Sequence, residues 1–412
     1  MRRFVLLHAA APLLLAACGN AGGEWAGVVR DSAGIAVVAN PADGIWRPGE
    51  GWRVVQRLRI GTAEGEPEFQ FGQIAGIARG SDGTLYVLDQ QAQEIRVFDS
   101  AGAYLRTVGR PGSGPGELSP AAGPILMGRG DTLLVPDVGL QRVNRFLPDG
   151  SEAGSFALSI AEGIPLKWEL TADGNLAYQA RRIGSPGQSE AIPDLVVVRG
   201  TDGAIRDTLV ELAVGRSIQF TGGAPRIKLF EAEPVWTISD HDRVLVGVSS
   251  EYRIEVRSAD GKVTRIFTMP FERLPVTESD RNAFLSFLRE TFQRQGIPPA
   301  AAQMLLQNME FADYYPAYAN VMAGPDGTTW VQHVQSAATV AKEGGTFSAQ
   351  DVGAPRWNVF DADGRFLGVV EAPPRFQPFT ILDRSIFGIW RDEVDVQYVV
   401  RLDIVGPENA DR

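Results

Sequence analysis

Residues 77–102, IARGSDGTLYVLDQQAQEIRVFDSAG, align without a gap onto residues 125–150, ILMGRGDTLLVPDVGLQRVNRFLPDG. At a shift of 48 positions Ile77, Gly80, Thr84, Leu85, Val87, Asp89, Gln93, Phe98 and Gly102 meet identical residues. A fixed period constrains the fold strongly, because each copy must be one structural unit packed against the next. Within a unit, short alternating runs break at Gly and Asp-Gly turns. The pattern reads as strand a, a tight turn, strand b ending in Asp, strand c, a second tight turn and strand d.

The unit recurs with looser spacing from WELTADGNLAY (168–178), VWTISDHDRVLVGV (235–248), NVMAGPDGTTWVQHV (320–334) and PFTILDRSIFGIW (378–390). The last unit lacks a fourth strand, whereas WRVVQRLRIG (52–61) stands alone before the first. If the N-terminal strand completes the last unit, six four-stranded units close into a ring that leaves few sheet edges open. The expected fold is therefore all-β, a six-bladed β-propeller closed by its N-terminal strand, over residues 51–406. DGTLYVLD, IRVFDSAG and GSGPGEL resemble the six-bladed β-propeller lipoproteins related to NHL-repeat proteins. The resemblance covers about residues 52–405, is strongest in the first two blades, and speaks to fold rather than chemistry.

The N-terminus reads MRRFVLLHAAAPLLLAAC. Arg2 and Arg3 precede an apolar run too short to span a bilayer, the pattern of a cleaved leader over 1–17. Leu15-Ala16-Ala17-Cys18 resembles the bacterial lipobox, which implies acylation of Cys18. Cys18 is the only cysteine, so no intrachain disulfide can form. Gly19 then leans towards the outer membrane by the lipoprotein sorting pattern. Residues 18–50 read as a tether, with DSAGIAVVAN (31–40) able to add a peripheral strand. The net charge of −11 becomes −13 once the two leader arginines are removed, a balance unsuited to nucleic acid.

The a–b and c–d turns are all minimal, whereas the b–c loops and inter-blade links include long pieces at 180–194, 211–233, 272–318 and 335–356. Long loops in compact domains tend to carry function, so function is expected on the face formed by links and b–c loops. Within 272–318 the sequence predicts two helices that act as a lid. Thr277 and Asp280 can cap the first; Ala283, Phe284, Phe287, Leu288 and Phe292 form its apolar stripe; Met304, Leu305 and Met309 point inward from the second. Tyr314, Tyr315 and Tyr318 then suit a binding rim. Arg181 and Arg182 could receive an anionic group at the same mouth, and His333 is a polar rim candidate or a structural histidine.

Other chemistry is less well supplied. RTVGRPGSGPGELSP (106–120) has the glycines of a phosphate loop, but Pro111, Pro115 and Pro120 interrupt it and a strand follows, where a phosphate loop needs a helix. Gly114, Gly116 and Glu117 therefore read as parts of an inter-blade link. Asp89 and Asp137, at equivalent positions, read as structural acceptors for backbone N–H groups. After the leader only His241 and His333 remain, on opposite faces, which is too few for a histidine zinc site. A calcium-dependent, lactonase-like hydrolase or lyase would need acids on the inner strands, where Glu169 and Glu233 are the only ones nearby, with Asn320 beside them. The sequence thus favours a non-catalytic, lipid-anchored envelope module. It would bind an unidentified small molecule or protein through its loop-rich face, with no metal, cofactor or nucleic acid. A propeller hydrolase and a structural scaffold are the alternatives.

Overall fold

The computed structural model describes residues 23–182, 192–212, 218–221, 224–239, 243–342 and 352–407. The leader 1–17, Cys18 and His241 lie outside the described residues. Six antiparallel four-stranded blades follow one another around a ring. Blade 1 comprises Ile74–Arg79, Leu85–Asp89, Glu94–Phe98 and Tyr104–Val108. Blade 2 comprises Leu126–Met127, Leu133–Asp137, Arg142–Phe146 and Glu152–Ala157. Blade 3 comprises Ile164–Leu170, Leu176–Arg181, Asp194–Arg199 and Ile205–Leu212. Blade 4 comprises Pro234–Ile238, Val244–Val248, Arg253–Arg257 and Val263–Thr268. Blade 5 comprises Val321–Ala323, Thr329–Val334, Gly353–Phe360 and Phe366–Glu371.

Blade 6 takes three strands from the C-terminal region, Phe376–Leu382, Ser385–Arg391 and Gln397–Val405, and its outer strand from Arg53–Ile60. The outer strand runs antiparallel to 397–405, with Arg53 opposite Val405 and Ile60 opposite Val399. The ring closes as the unpaired first strand predicts.

The core is divided among the blade interfaces. In LYVLD (85–89) every residue is buried. Successive strand side chains point to opposite sheet faces. Leu85 and Val87 accordingly pack with Phe387, Ile389 and Val399 of blade 6. Tyr86 and Leu88 pack with Leu133, Val135 and Phe146 of blade 2. The same arrangement joins blades 2 and 3 through Trp168 and Tyr178, and blades 3 and 4 through Trp236. Phe267 and Phe360 join blades 4 and 5, and Trp330, Trp357 and Tyr398 join blades 5 and 6.

The tether expected over 18–50 is not what residues 23–50 form. Val28–Ser32 and Ile35–Ala39 make a hairpin whose second strand runs parallel to Val263–Thr268, extending blade 4 to six strands. Ala33 (φ 54°) and Gly34 (φ 83°) supply the left-handed pair that a two-residue hairpin turn requires. The chain then crosses to blade 5, where the Ile45 and Trp46 amides donate to the Phe366 and Leu367 carbonyls. Five residues of alternating pattern could not reveal this segment's partners, because Ala36 lies opposite Arg265, 229 positions away.

Asn40 fastens this segment. Its amide donates to the Thr268 and Gly364 carbonyls at 3.2 and 2.9 Å and accepts from the Phe366 amide and the Trp25 indole at 2.7 and 3.1 Å. Asn40→Ala strips buried partners of their bonds and is expected to cost about 2 kcal/mol, read from urea unfolding. A midpoint equal to wild type would show that the strap adds nothing to the ring.

Candidate functional site

The face carrying links and b–c loops forms the mouth of the central channel. Strand b of blades 1 and 2 ends there in Asp89 and Asp137, both buried. Asp89 accepts from Gly72 and Gln73 on the incoming link and from Gln91 and Ala92 in the b–c turn. Asp137 accepts from the Ser119 amide and hydroxyl and from Leu140. Each carboxylate thus pins a link to a turn and is consumed in doing so. The following link, 109–118, is closed in the same manner. The Glu117 carboxylate accepts from the Gly114 amide at 2.7 Å and pairs with Arg110 at 3.0 Å, while Arg142 donates to the Ser113, Gly114 and Glu117 carbonyls. The Gly114 N–H and then Arg110 hold the Glu117 carboxyl below its ordinary range. Gly116 sits at φ 69°, a left-handed turn that glycine tolerates at no steric cost. The glycine-rich loop thus holds its own carboxylate against the Gly114 N–H.

Several rim candidates are drawn inside. Arg181 is not a free anion receptor: its guanidinium pairs with Asp194 at 3.0 Å and Glu233 at 3.1 Å. Burial opposes its charge, but these two carboxylates outweigh burial and raise its pKa above the ordinary value. Gln179 links Asp194 to the Trp236 indole, so the ion pair belongs to the interface of blades 3 and 4. Arg182 is exposed and donates to the Pro193 carbonyl at 3.3 Å. Tyr315 and Tyr318 are buried and line no rim. The Tyr315 hydroxyl accepts from the Ala337 amide, and Tyr318 donates to the Arg253 carbonyl. Tyr314 alone of the three is exposed, with Arg273 over its ring.

His333 stands where blades 1 and 2 carry Asp. Its Nε2 lies 2.7 Å from Asn358 Oδ1, and Asn358 in turn donates to the Tyr252 hydroxyl at 2.8 Å. This chain ties blade 5 to blade 4 and gives the His333 Nε2 a structural partner.

The insertion is helical as its pattern indicates. Helix α1, Glu278–Arg294, begins with a reciprocal cap between Thr277 and Asp280 and buries Phe284 and Leu288. Helix α2, Pro299–Gln307, turns the other way from expectation. Met304 and Leu305 are exposed, and Leu306 packs inward with Met309 and Phe311. Met309, just beyond the helix, packs inward as its pattern indicates. A third helix, α3 (Ala337–Lys342), packs on α1. Its Ala337 and Ala338 amides are capped by Tyr315 and by Asp280. Burial works against the Asp280 charge, but bonds from Thr277 and Ala338 prevail and keep its pKa low. Leu229, Phe230, Phe284, Leu288, Tyr315 and Val340 form a small core of their own. The result is a cap assembled from three separate insertions.

Beside the cap, a cavity of about 380 Å³ opens between blades 4, 5 and 6. The cap lends it Phe230, Pro316 and Val352, and among the described lining residues none comes from α1 or α2. Glu231, Glu233, Ser249, Asn320, Gln332 and Gln377 supply its polar groups. Glu233 stands just before strand a of blade 4, Asn320 just before strand a of blade 5, and Gln377 near the start of strand a of blade 6. Scanning the sequence for acids alone passes over the two amides. Among the described residues no group of three or more His, Cys, Asp or Glu side chains is placed to hold a metal ion.

Six blades, the closing strand and the two-sided blade cores are decisive. This chain is a six-bladed β-propeller. A family model described as a 6-bladed beta-propeller matches residues 64–191. A solved Bacteroides fragilis structure, described as that of an exported protein, aligns with a TM-score of 0.52 at 13% identity. It covers 90% of this chain and 99% of its own. A member of the DUF4221 family from Bacteroides vulgatus aligns with a TM-score of 0.53 at 9% identity, covering 87% of this chain and 99% of its own. At such identity the likeness is one of fold. No curated protein matches the sequence.

The histidine gives the propeller a pH signature. Burial lowers the His333 pKa below 6.5, the Asn358 bond opposes this, and Arg356 adds to it. The unfolded chain therefore binds a proton more readily, so stability present above pH 6.5 is lost as pH falls through the lowered value. His333→Gln, which can keep the Asn358 bond, is expected to flatten the fall in thermal midpoint between pH 7 and pH 5. An unchanged pH slope would remove His333 as its source.

Proposed function

We propose that this propeller is a non-catalytic binding module of the bacterial envelope, anchored through Cys18 and taking a small ligand in the mouth cavity beside the cap. The observation that carries the reading is the cavity itself. Its volume falls in the range of small-molecule sites, and polar groups from three blades converge on walls otherwise apolar. Three separate insertions build the cap at that one place, where shorter links would suffice to close the ring.

The location rests on the leader pattern and lipobox, and the exported Bacteroides fragilis protein of similar fold is consistent with it. Among the described residues no helix is long and apolar enough to cross a membrane, so attachment would rest on the acyl chains. Residues 18–22 can span at most about 17 Å when extended, and the chain is already bonded to the propeller at Gly23 through the Ile45 carbonyl. The anchor would hold the blade 4 and 5 side close to the bilayer.

Two measurements test the reading. Cys18→Ala is expected to move the protein from the membrane fraction to the soluble fraction; retention at wild-type level refutes the anchor. For binding, the mature chain is screened by thermal shift against a metabolite library, alongside Ala319→Phe, which fills the cavity. Stabilising compounds should lose their effect in the filled variant. Hits that stabilise both proteins equally would place binding elsewhere.

A further inference from the structure

We propose that the mouth cavity selects a neutral, hydroxyl-rich ligand of the sugar or polyol class; this rests on the reading of the cavity as a binding site. The argument begins with charge. Among the described lining residues none is basic. The cations bonded to its lining groups are already committed: Lys228 to Glu231 at 2.5 Å, Arg181 to Glu233 and Asp194, and Arg391 to the Gln377 side-chain oxygen at 3.2 Å. A phosphate or carboxylate would face two carboxylates with no cation to receive it. An organic cation would have to compete with Lys228 and Arg181, which already hold Glu231 and Glu233 at ion-pair distance. Both ionic classes would be desolvated for little return.

The hydrogen-bonding groups point the same way. Asn320 uses its oxygen to accept from the Val321 amide at 2.8 Å, which leaves its NH₂ group to donate. Gln377 uses its oxygen for Arg391, which leaves its NH₂ group likewise. Gln332 donates to the Ala354 carbonyl at 3.1 Å, which leaves its oxygen to accept. Glu231 adds carboxylate lone pairs. The cavity therefore offers donors and acceptors side by side, with both of its lining carboxylates already ion-paired. A hydroxyl, which is donor and acceptor at once, matches both kinds of group. Phe376, Pro316 and Pro378 supply apolar wall for the C–H faces of a ring.

The test is calorimetry on the mature chain with maltose, cellobiose and myo-inositol as neutral probes. Glucuronate and inorganic phosphate serve as anions, and glucosamine and spermidine as cations. Asn320→Ala and Gln377→Ala, each confirmed as folded by an unchanged thermal midpoint, are titrated in parallel. The expected result is saturable binding of a neutral probe that weakens tenfold or more in both variants. Preferential binding of a charged probe, weakened by the same variants, overturns the ligand class while leaving the cavity as the site. Neutral binding untouched by both variants overturns the placement. Failure of every probe to bind at about 10 mM, together with no hit in the metabolite screen, overturns the class and the binding reading together.

Discussion

Everything in this molecule depends on the pairing of Arg53–Ile60 with Gln397–Val405. Blade interfaces are made by side chains that alternate between two faces of each sheet, so every blade needs a neighbour on both sides. An open row of six would leave one apolar face uncovered at each end. Pairing the first strand with the last joins those ends, and Ile60 then packs in the same cluster as Phe98, Phe387 and Val399. The closure replaces two exposed faces by one more interface of the common kind.

A closed ring also explains where variation accumulates. Short a–b and c–d turns keep the strands in register, and Asp89 and Asp137 fix the returning links by accepting their backbone donors. Once those constraints are met, lengthening a link at the mouth disturbs no interface. Three such insertions meet to form the cap, and the cap has its own core around Phe230 and Phe284. The cavity lies where that added core meets the channel mouth over blades 4 to 6. The same economy of charge runs through the whole face: Arg181, Lys228 and Arg391 are each held by groups of the protein, and Glu117 fills the glycine-rich loop.

Much of the fold was legible because a repeat states its geometry many times over. The 48-residue shift, the period-two alternation and the missing last strand suffice to give six blades and their closure. Thr277 and Asp280 were legible too, since a helix cap is a local interaction three residues long. The candidate site was legible only as a face. Arg181, Tyr315 and Tyr318 carry the residue types of a binding rim, yet each satisfies a partner far off in sequence: Glu233, Ala337 and Arg253. Met304 and Leu305 misled for a related reason, since a nine-residue helix has too few turns for its stripe to fix its phase.

The sequence by itself therefore determined the architecture, the acidic balance and the face on which loops accumulate. These follow from local rules repeated along the chain. Only the tertiary structure decided which polar side chains face the cavity and which are spent inside, because that choice depends on contacts between blades. It also decided that residues 23–50 strap blades 4 and 5. The groups that hold the strap, Thr268, Gly364 and Phe366, come into reach of Asn40 only when the ring has formed.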